Sequence, residues 1–460
     1  MSTKKTRRPP ATESSLRTGS LDPDFGINGA VVLKGPSGAE DSFITGMASN
    51  LTSDTDQRIY VGTSDPEPYI TRLLPNGEID ESFGSAGYLT LPQGNPATFD
   101  TLRGIHTFIP MTSGKIIGWG QLTTTRAQAF NVPAAVCFTA DGVLDTTFGT
   151  NGLATYKQLI PKTALANDLN SPSKTESRGA PSLNIETHGE AGRLTAFRPI
   201  KQAGDKLLLC DSVSYPVSPY HIASYLIRIN ADGSLDTDFG QGGFILIKDP
   251  DYSTLSECGH FDTDRGGGIV VTGTHYRTEN PLFIARYDSE GHVDRSFGEN
   301  GVVHINNPNG YAVQDRGVIA MDDGKIILTA AFFVAETISQ HAVLIKLLPT
   351  GDRDPGFNNG EPTLVDLTPE GYFVAHTATL DDGQRIVIGG RRYGEGLRAC
   401  ISRVQPNGAL DTGFGSNGTA VLGRFQEVWL MTVQNRVNIL ASGVDLETEP
   451  PLTSIYRVLG

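Results

Sequence analysis

The chain has 460 residues, a net charge of −14 and a calculated isoelectric point near 5.1, a balance that lacks the basic footprint of a general nucleic-acid binder. No run of about 18 apolar residues offers a membrane span. With 38% hydrophobic residues, 53 Gly and 27 Pro, the composition suits a turn-rich all-β protein, and no amphipathic helix of useful length can be traced.

The first stretch, MSTKKTRRPPATESSLR (1–17), is polar and basic and has no apolar segment. It reads as a disordered tail rather than a secretory signal. The expected location is therefore cytoplasmic, with signal-independent export left open. From residue 18 one phrase returns seven times: LDPDFGING from Leu21, IDESFGSAG from Ile79, LDTTFGTNG from Leu144, LDTDFGQGG from Leu235, VDRSFGENG from Val293, RDPGFNNG from Arg353 and LDTGFGSNG from Leu410. The aspartates, from Asp22 to Asp411, follow one another at steps of 58, 65, 91, 58, 60 and 57 residues. A period of that length suits a propeller blade.

The runs ADGVLDTTFGTNG (140–152) and ADGSLDTDFGQGG (231–243) resemble the delta-60 repeat, a bacterial family, and the resemblance extends over about residues 18–460. It implies a propeller-like β fold and no established activity.

Between phrases the same elements return. In the fifth unit GVVHI (301–305), RGVIAM (316–321), KIILTAAFF (325–333) and HAVLIKLLP (341–349) are four short β-prone runs separated by Gly or Asp turns. That is one four-stranded meander. Seven of them predict an all-β, seven-bladed propeller of antiparallel blades. With the innermost strand placed before the DGK turn, the blades fall at about 40–91, 98–158, 190–247, 253–305, 311–366, 371–422 and 425–460 plus 18–33, with a polar loop insertion near 157–190. The ring is expected to close by the strand Ala30–Leu33 joining the strand Ser454–Leu459, with Asp22 facing Arg457. Pairing removes what would otherwise be an open edge.

The phrase could pass for a calcium loop, since DPDFGING and DTDFGQGG place acids two apart before Gly, but no bidentate acid closes it. The aspartates have a better account. In six of the strands before the phrase a basic residue stands five before the turn Gly, so Arg72 should face Asp80, Arg228 Asp236, Arg286 Asp294, Lys346 Asp354 and Arg403 Asp411, as Arg457 faces Asp22. In the second unit Cys137 takes the basic place, so Asp145 must be satisfied otherwise. Cys137, Cys210, Cys258 and Cys400 lie in separate strand-like runs and form no metal or disulfide spacing. No metal or cofactor is implied.

Two groups of residues are candidates for function. His106, Arg316, His376 and Glu427 align in first strands and could form a polar ring on the channel, capable of acid–base work. The other group sits in stretches that differ in every unit: GQLTTTRAQAFNVP (120–133), DSVSYPVSPYH (211–221), GTHYRTENP (273–281) and GGRRYGEGLRA (389–399). In or beside them stand Trp119, Arg126, Tyr215, Tyr220, His275, Tyr276, Arg391, Arg392 and Tyr393, residue types that dominate binding hot spots. Repeated turns occupy one face and varied loops the other, where function usually sits. The reading is a non-enzymatic recognition or scaffold propeller that binds a protein, or a small or saccharide ligand, on the varied face. Two rivals stay open: a lyase or hydrolase at the channel mouth, and a lectin.

Overall fold

The computed structural model describes residues 18–36, 48–63, 69–90, 100–124, 131–156, 200–201, 205–215, 221–247, 257–274, 282–306, 313–334, 339–365, 373–381, 384–392, 398–423, 427–445 and 452–460. The basic tail and the insertion near 157–190 lie outside these residues.

Twenty-eight strands form seven antiparallel four-stranded sheets. After β1 (Ala30–Val32), blade 1 is β2 (Ala48–Ser53), β3 (Ile59–Thr63), β4 (Tyr69–Leu73) and β5 (Tyr88–Thr90). Blade 2 is β6 (Asp100–Pro110), β7 (Ile116–Thr124), β8 (Asn131–Phe138) and β9 (Leu153–Thr155). Blade 3 is β10 (Ile200–Lys201), β11 (Leu207–Tyr215), β12 (His221–Ile229) and β13 (Phe244–Leu246). Blade 4 is β14 (Glu257–Thr263), β15 (Ile269–Thr274), β16 (Leu282–Tyr287) and β17 (Val302–Ile305). Blade 5 is β18 (Val313–Ala320), β19 (Ile326–Val334), β20 (Ser339–Leu347) and β21 (Thr363–Leu364). Blade 6 is β22 (Phe373–Asp381), β23 (Arg385–Arg392), β24 (Arg398–Val404) and β25 (Thr419–Val421). Blade 7 is β26 (Val428–Gln434), β27 (Asn438–Asp445) and β28 (Leu452–Val458), with β1 as its fourth strand.

First strands pack on one another between blades 1 and 2 and from blade 4 through blade 7, and β2 meets β26, so these strands are innermost. The outer strands are two to four residues long, which leaves only short edges. Central strands bury both faces and are accordingly mostly apolar, with a few buried polar residues such as Thr272 and Arg72, as in IVVTGT of β15 and YITRL of β4. The buried side chains gather into seven clusters, each spanning two adjacent blades, from Tyr60, Phe83, Phe108 and Val136 between blades 1 and 2 to Phe25, Leu51, Leu440 and Ile455 between blades 7 and 1.

The phrase is the joint between blades. Its backbone needs three left-handed residues in close succession, for example Gly84, Ala86 and Gly87 with φ of 55°, 53° and 93°. Asn serves at the middle position in Asn28, Asn151, Asn300 and Asn417, because its short polar side chain tolerates that region. The tight return buries the Phe completely or nearly so in all seven copies. It also frees the next N–H to cross the blade boundary. Gly84 N donates to Asp141 O of the following hairpin at 2.8 Å, Gly149 N to Asp232 O at 2.9 Å, Gly240 N to Glu290 O at 2.8 Å and Gly298 N to Thr350 O at 2.7 Å. Asn358 N, standing where other copies have Gly, donates to Asn407 O at 2.9 Å. The hairpin Gly packs against the preceding blade: a Cβ on Gly233 would lie 2.7 Å from the Phe148 ring, and one on Gly142 3.0 Å from Phe83.

The Asp of the phrase faces the basic residue of the third strand. Asp80 N donates to Arg72 O and Asp236 N to Arg228 O, each at 2.9 Å, and Arg72 Nε donates to Asp80 Oδ2 at 2.7 Å. Arg228–Asp236, Arg286–Asp294 and Arg403–Asp411 repeat the bond at 2.6–2.7 Å. Each of these guanidinium groups also lies over the phrase Phe, 4.5–5.1 Å from the ring centroid. Arg72 Nη1 reaches on to Ala140 O in the next blade at 2.6 Å. Blade 5 differs. Lys346 lies 5.8 Å from the Phe357 centroid, but the cation bonded to Asp354 is Lys325, at 3.1 Å. An ammonium lacks the fork that lets arginine serve a carboxylate and a carbonyl together.

The same joint closes the ring. β1 pairs antiparallel with β28, Ala30 opposite Tyr456 and Val32 opposite Ser454. Arg457 Nε donates to Asp22 Oδ2 at 2.7 Å, its guanidinium lies 4.7 Å from the Phe25 centroid, and Nη1 reaches Pro75 O of blade 1. Gly26 N donates to Asn76 O at 2.8 Å, and Gly415 N of blade 6 to Thr18 O at 2.9 Å.

Removing residues 1–34 should therefore lower the thermal unfolding midpoint far more than removing 1–16, since only the longer deletion takes β1, Phe25 and the partner of buried Arg457. Equal midpoints for the two truncations would contradict this closure. The clamp can also be tested at single positions. Arg72→Met leaves Asp80 without its bonded cation and should cost about 3–5 kcal/mol in denaturant unfolding. Arg228→Met should cost less, because Lys206 Nζ still bonds Asp236 at 2.7 Å. Equal losses would show that the second cation contributes nothing.

Candidate functional site

The innermost strands of blades 1, 2, 4, 5, 6 and 7 each carry a β-bulge. Bulges re-aim side chains. The residues involved are Ser49, His106 (with a second irregularity at Gly104), Gly259–His260, Arg316, His376 and Trp429. Three of the four residues expected on the channel, His106, Arg316 and His376, thus share one register position. The side chains of His106 and His376 lie outside the described residues. Arg316 is half-buried and donates from Nη2 to Gln314 Oε1 at 2.6 Å.

Glu427 corrects the expectation. It precedes β26, and the bulge of that blade is Trp429. The turn there reads QNRV and has no Asp-Gly to anchor a count, so alignment from sequence misplaced the position by two. Glu427 is buried, and its Oε2 lies 3.3 Å from Arg391 Nη1 of blade 6.

The sequence alignment missed His260, because the bulge moves it next to the aligned position, held by Gly259. His260 Nδ1 lies 2.9 Å from Oδ2 of Asp315 in blade 5. The same oxygen accepts the hydroxyl of Thr272, and Asp315 Oδ1 accepts the Gly317 N–H at 3.1 Å. Thr272 Oγ1 in turn accepts the His260 N–H at 2.8 Å. The Asp315 side chain is 5% exposed and that of His260 36%. Burial works to raise the Asp315 carboxyl, but His260, the Thr272 hydroxyl and the Gly317 N–H outweigh it and hold it below the usual carboxylate range. Position 259 must be glycine, since a Cβ there would stand 1.9 Å from Asp315 Oδ2.

On the varied face the strands run further than the sequence suggested: β7 extends to Thr124, β11 to Tyr215 and β23 to Arg392. Trp119 is consequently a core residue rather than a binding residue. It is 3% exposed and packs on Tyr156, with ring centroids 5.5 Å apart, between blades 2 and 3. Arg391 and Arg392 are half-buried strand residues, and Arg391 holds Glu427. Tyr215 ends β11 opposite His221, with its side chain outside the description. Arg126, Tyr220, His275, Tyr276 and Tyr393 lie outside the described residues.

The acids of the phrase are engaged within the fold rather than arranged around an ion. In Asp80, Oδ1 accepts the Ser82 hydroxyl at 2.6 Å and Oδ2 accepts Arg72. Burial works to raise its carboxyl, but these bonds prevail and hold it low. In blade 2, where Cys137 replaces arginine, Lys115 Nζ lies 2.6 Å from Asp145 Oδ2. That bond, with those from Thr147, pulls the Asp145 carboxyl down to about 2. Burial and the neighbouring Asp145 push the Cys137 thiol up to about 11, so it is an inert neutral group. Among the described residues no three His, Cys, Asp or Glu side chains gather as a metal centre would require.

A model of the family described as "Domain of unknown function (DUF5122) beta-propeller" matches residues 113–148, 222–239 and 382–414. The fold is a propeller. Each matched stretch lies in one blade, in blades 2, 3 and 6, and includes at least the first part of the phrase. No curated protein matches the chain. Among solved structures the chain is similar to the Dos1 propeller, with 9% identity, 93% of each chain covered and a TM-score of 0.44. It is also similar to the β-propeller domain of the Trilobed protease from Pyrococcus furiosus, with 8% identity, 72% of this chain and 74% of that one covered and a TM-score of 0.37. A protein of unknown function from Dyadobacter fermentans gives 9% identity, 83% and 95% coverage and a TM-score of 0.36.

The carboxyl groups held low link the joints to pH. A carboxyl depressed in the folded state stabilises that state above its ordinary range and ceases to do so as pH falls through the folded value. Asp80, Asp145, Asp236, Asp294 and Asp354 all have this sign. Thermal midpoints should therefore fall steeply as pH drops from about 4 toward 2. In Lys115→Met the midpoint near neutral pH should be lower than in the parent and its fall with acid smaller, because Asp145 loses the bond that does most to depress its carboxyl. A midpoint indifferent to acid across this window would rule out the linkage.

Proposed function

We propose that this chain is a delta-60-type recognition propeller that binds a protein or saccharide ligand through the face bearing the connections between second and third strands and between blades. What supports this reading is the condition of the other face. Its repeated hairpins, among them Pro75–Gly77, Ala140–Gly142 and Ser289–Gly291, are engaged by the phrase and the arginine of the preceding blade. Substitution there disturbs the ring. The opposite connections differ in every blade and carry Arg126, Tyr220, His275, Tyr276 and Tyr393. Residues free of a repeated structural duty on a rigid scaffold are the ones that can diverge toward a ligand.

The test compares two variants, one on each face. Arg126→Glu combined with Tyr276→Ala and Tyr393→Ala alters the varied face. Glu81→Lys with Glu290→Lys alters exposed positions on the hairpin face. The first should weaken a ligand identified by crosslinking or saccharide array about tenfold or more, with an unchanged melting midpoint. The second should leave binding intact. The reverse pattern would assign recognition to the hairpin face.

A further inference from the structure

A second site follows from the channel wall and is independent of the recognition face. His260 and Asp315 come from the innermost strands of different blades and meet at the bulges. The carboxylate is buried, accepts a hydroxyl and a backbone N–H as well as the imidazole, and occupies the space over Gly259 that any other residue would fill. Each feature fixes the carboxylate, and the carboxylate fixes the ring. With Nδ1 as the donor to Asp315, the neutral imidazole carries its lone pair on Nε2. His260 stands mid-strand on an innermost strand that packs against β18, and its ring stays partly exposed where Asp315 is buried. Arg316 follows Asp315 directly and holds the bulge position itself.

We propose that His260 is a proton-accepting group of a small-molecule site on the channel wall, oriented by Asp315, and that the ligand is a small hydroxy acid. Its hydroxyl donates to Nε2 and its carboxylate faces the Arg316 guanidinium. Proton transfer from that hydroxyl to Nε2 would leave the electron pair on the ligand oxygen, and the imidazolium would be balanced by the Asp315 carboxylate. An exposed imidazole held by a buried acid has this use in general-base chemistry. Among the described side chains, the other charged or titratable groups near the pair on the two strands are Cys258, which is buried, and Asp262, whose Oδ2 accepts the Ala320 N–H at 2.8 Å; Glu257 begins the first of them.

The test uses the intact chain and diethyl pyrocarbonate, which acylates neutral imidazole, with labelling rates read peptide by peptide by mass spectrometry. His292 is the internal reference, because its side chain is 72% exposed and its Nδ1 lies 3.1 Å from an exposed carboxylate, that of Asp288. His260 should label several-fold faster than His292 although it is less exposed. Asp315→Asn should lower the His260 rate about tenfold and leave His292 unchanged. Tartrate should protect His260 in the parent and not in Arg316→Gln, whereas acetate, lacking the hydroxyl, and glycerol, lacking the carboxylate, should not protect. Slower labelling of His260 than of His292 in the parent protein would overturn the proposal without reliance on any variant. An unchanged rate in folded Asp315→Asn would overturn the role of the carboxylate, and failure of tartrate to protect would overturn the ligand class.

Discussion

The propeller depends on one crossing at each blade boundary. A left-handed return after the phrase Phe turns an N–H outward, and that N–H donates to the carbonyl of the next hairpin. Sheet hydrogen bonds cannot join blades, because each blade already uses its ladder internally. Side-chain packing can join them, but it is not directional. The crossing supplies direction and register. It brings the Phe under the neighbouring hairpin Gly and the guanidinium over the Phe. It works only where the backbone can be left-handed without a clash, so those positions of the phrase are written in Gly and Asn, with Ala86 the exception. The repeat is thus kept by backbone geometry, and no ligand is needed to explain it.

Much of this architecture was legible. The alternation of β-prone runs and turns gave four strands per unit, and the seven phrases gave seven blades. The opposition of Arg72 and Asp80 followed from counting across a three-residue hairpin, and the count held because the hairpin Gly is left-handed in each blade that has it. The direction of the arginine was less legible. A cross-strand pair suggests a contact within one blade, whereas the guanidinium also reaches a carbonyl of the next. Sequence shows which residues face each other on a sheet more readily than which groups meet between sheets.

The candidate sites were less legible for a related reason. Trp119 and Arg391 stand near variable connections, yet β7 and β23 run through them and turn both inward. A strand end set by pairing with its neighbours is not marked in the chain. His260 was hidden by a bulge, which inserts one residue and ends any alignment based on strict alternation. Gly259 held the aligned position, and a glycine draws no attention as a functional residue. Its meaning appears only with the Asp315 carboxylate lying where its side chain would be.

Blades 2 and 5 show what the joint requires. Both lack the arginine, and in both the phrase aspartate is bonded by the lysine of the turn before the second strand, Lys115 or Lys325. Blade 3 has both kinds of cation on Asp236. What the boundary needs is a positive charge within bonding distance of a carboxylate that burial would otherwise neutralise. The source of that charge can shift from one strand to the next turn. Such a substitution keeps the electrostatics and gives up the guanidinium contact to the following blade. The DGK turn, which looks from sequence like ordinary hairpin chemistry, is therefore also the reserve cation of the clamp. In blades 3 and 6, which already carry the arginine, Lys206 and Arg385 of that turn stand at 2.7 and 3.9 Å from the phrase aspartate as a second cation.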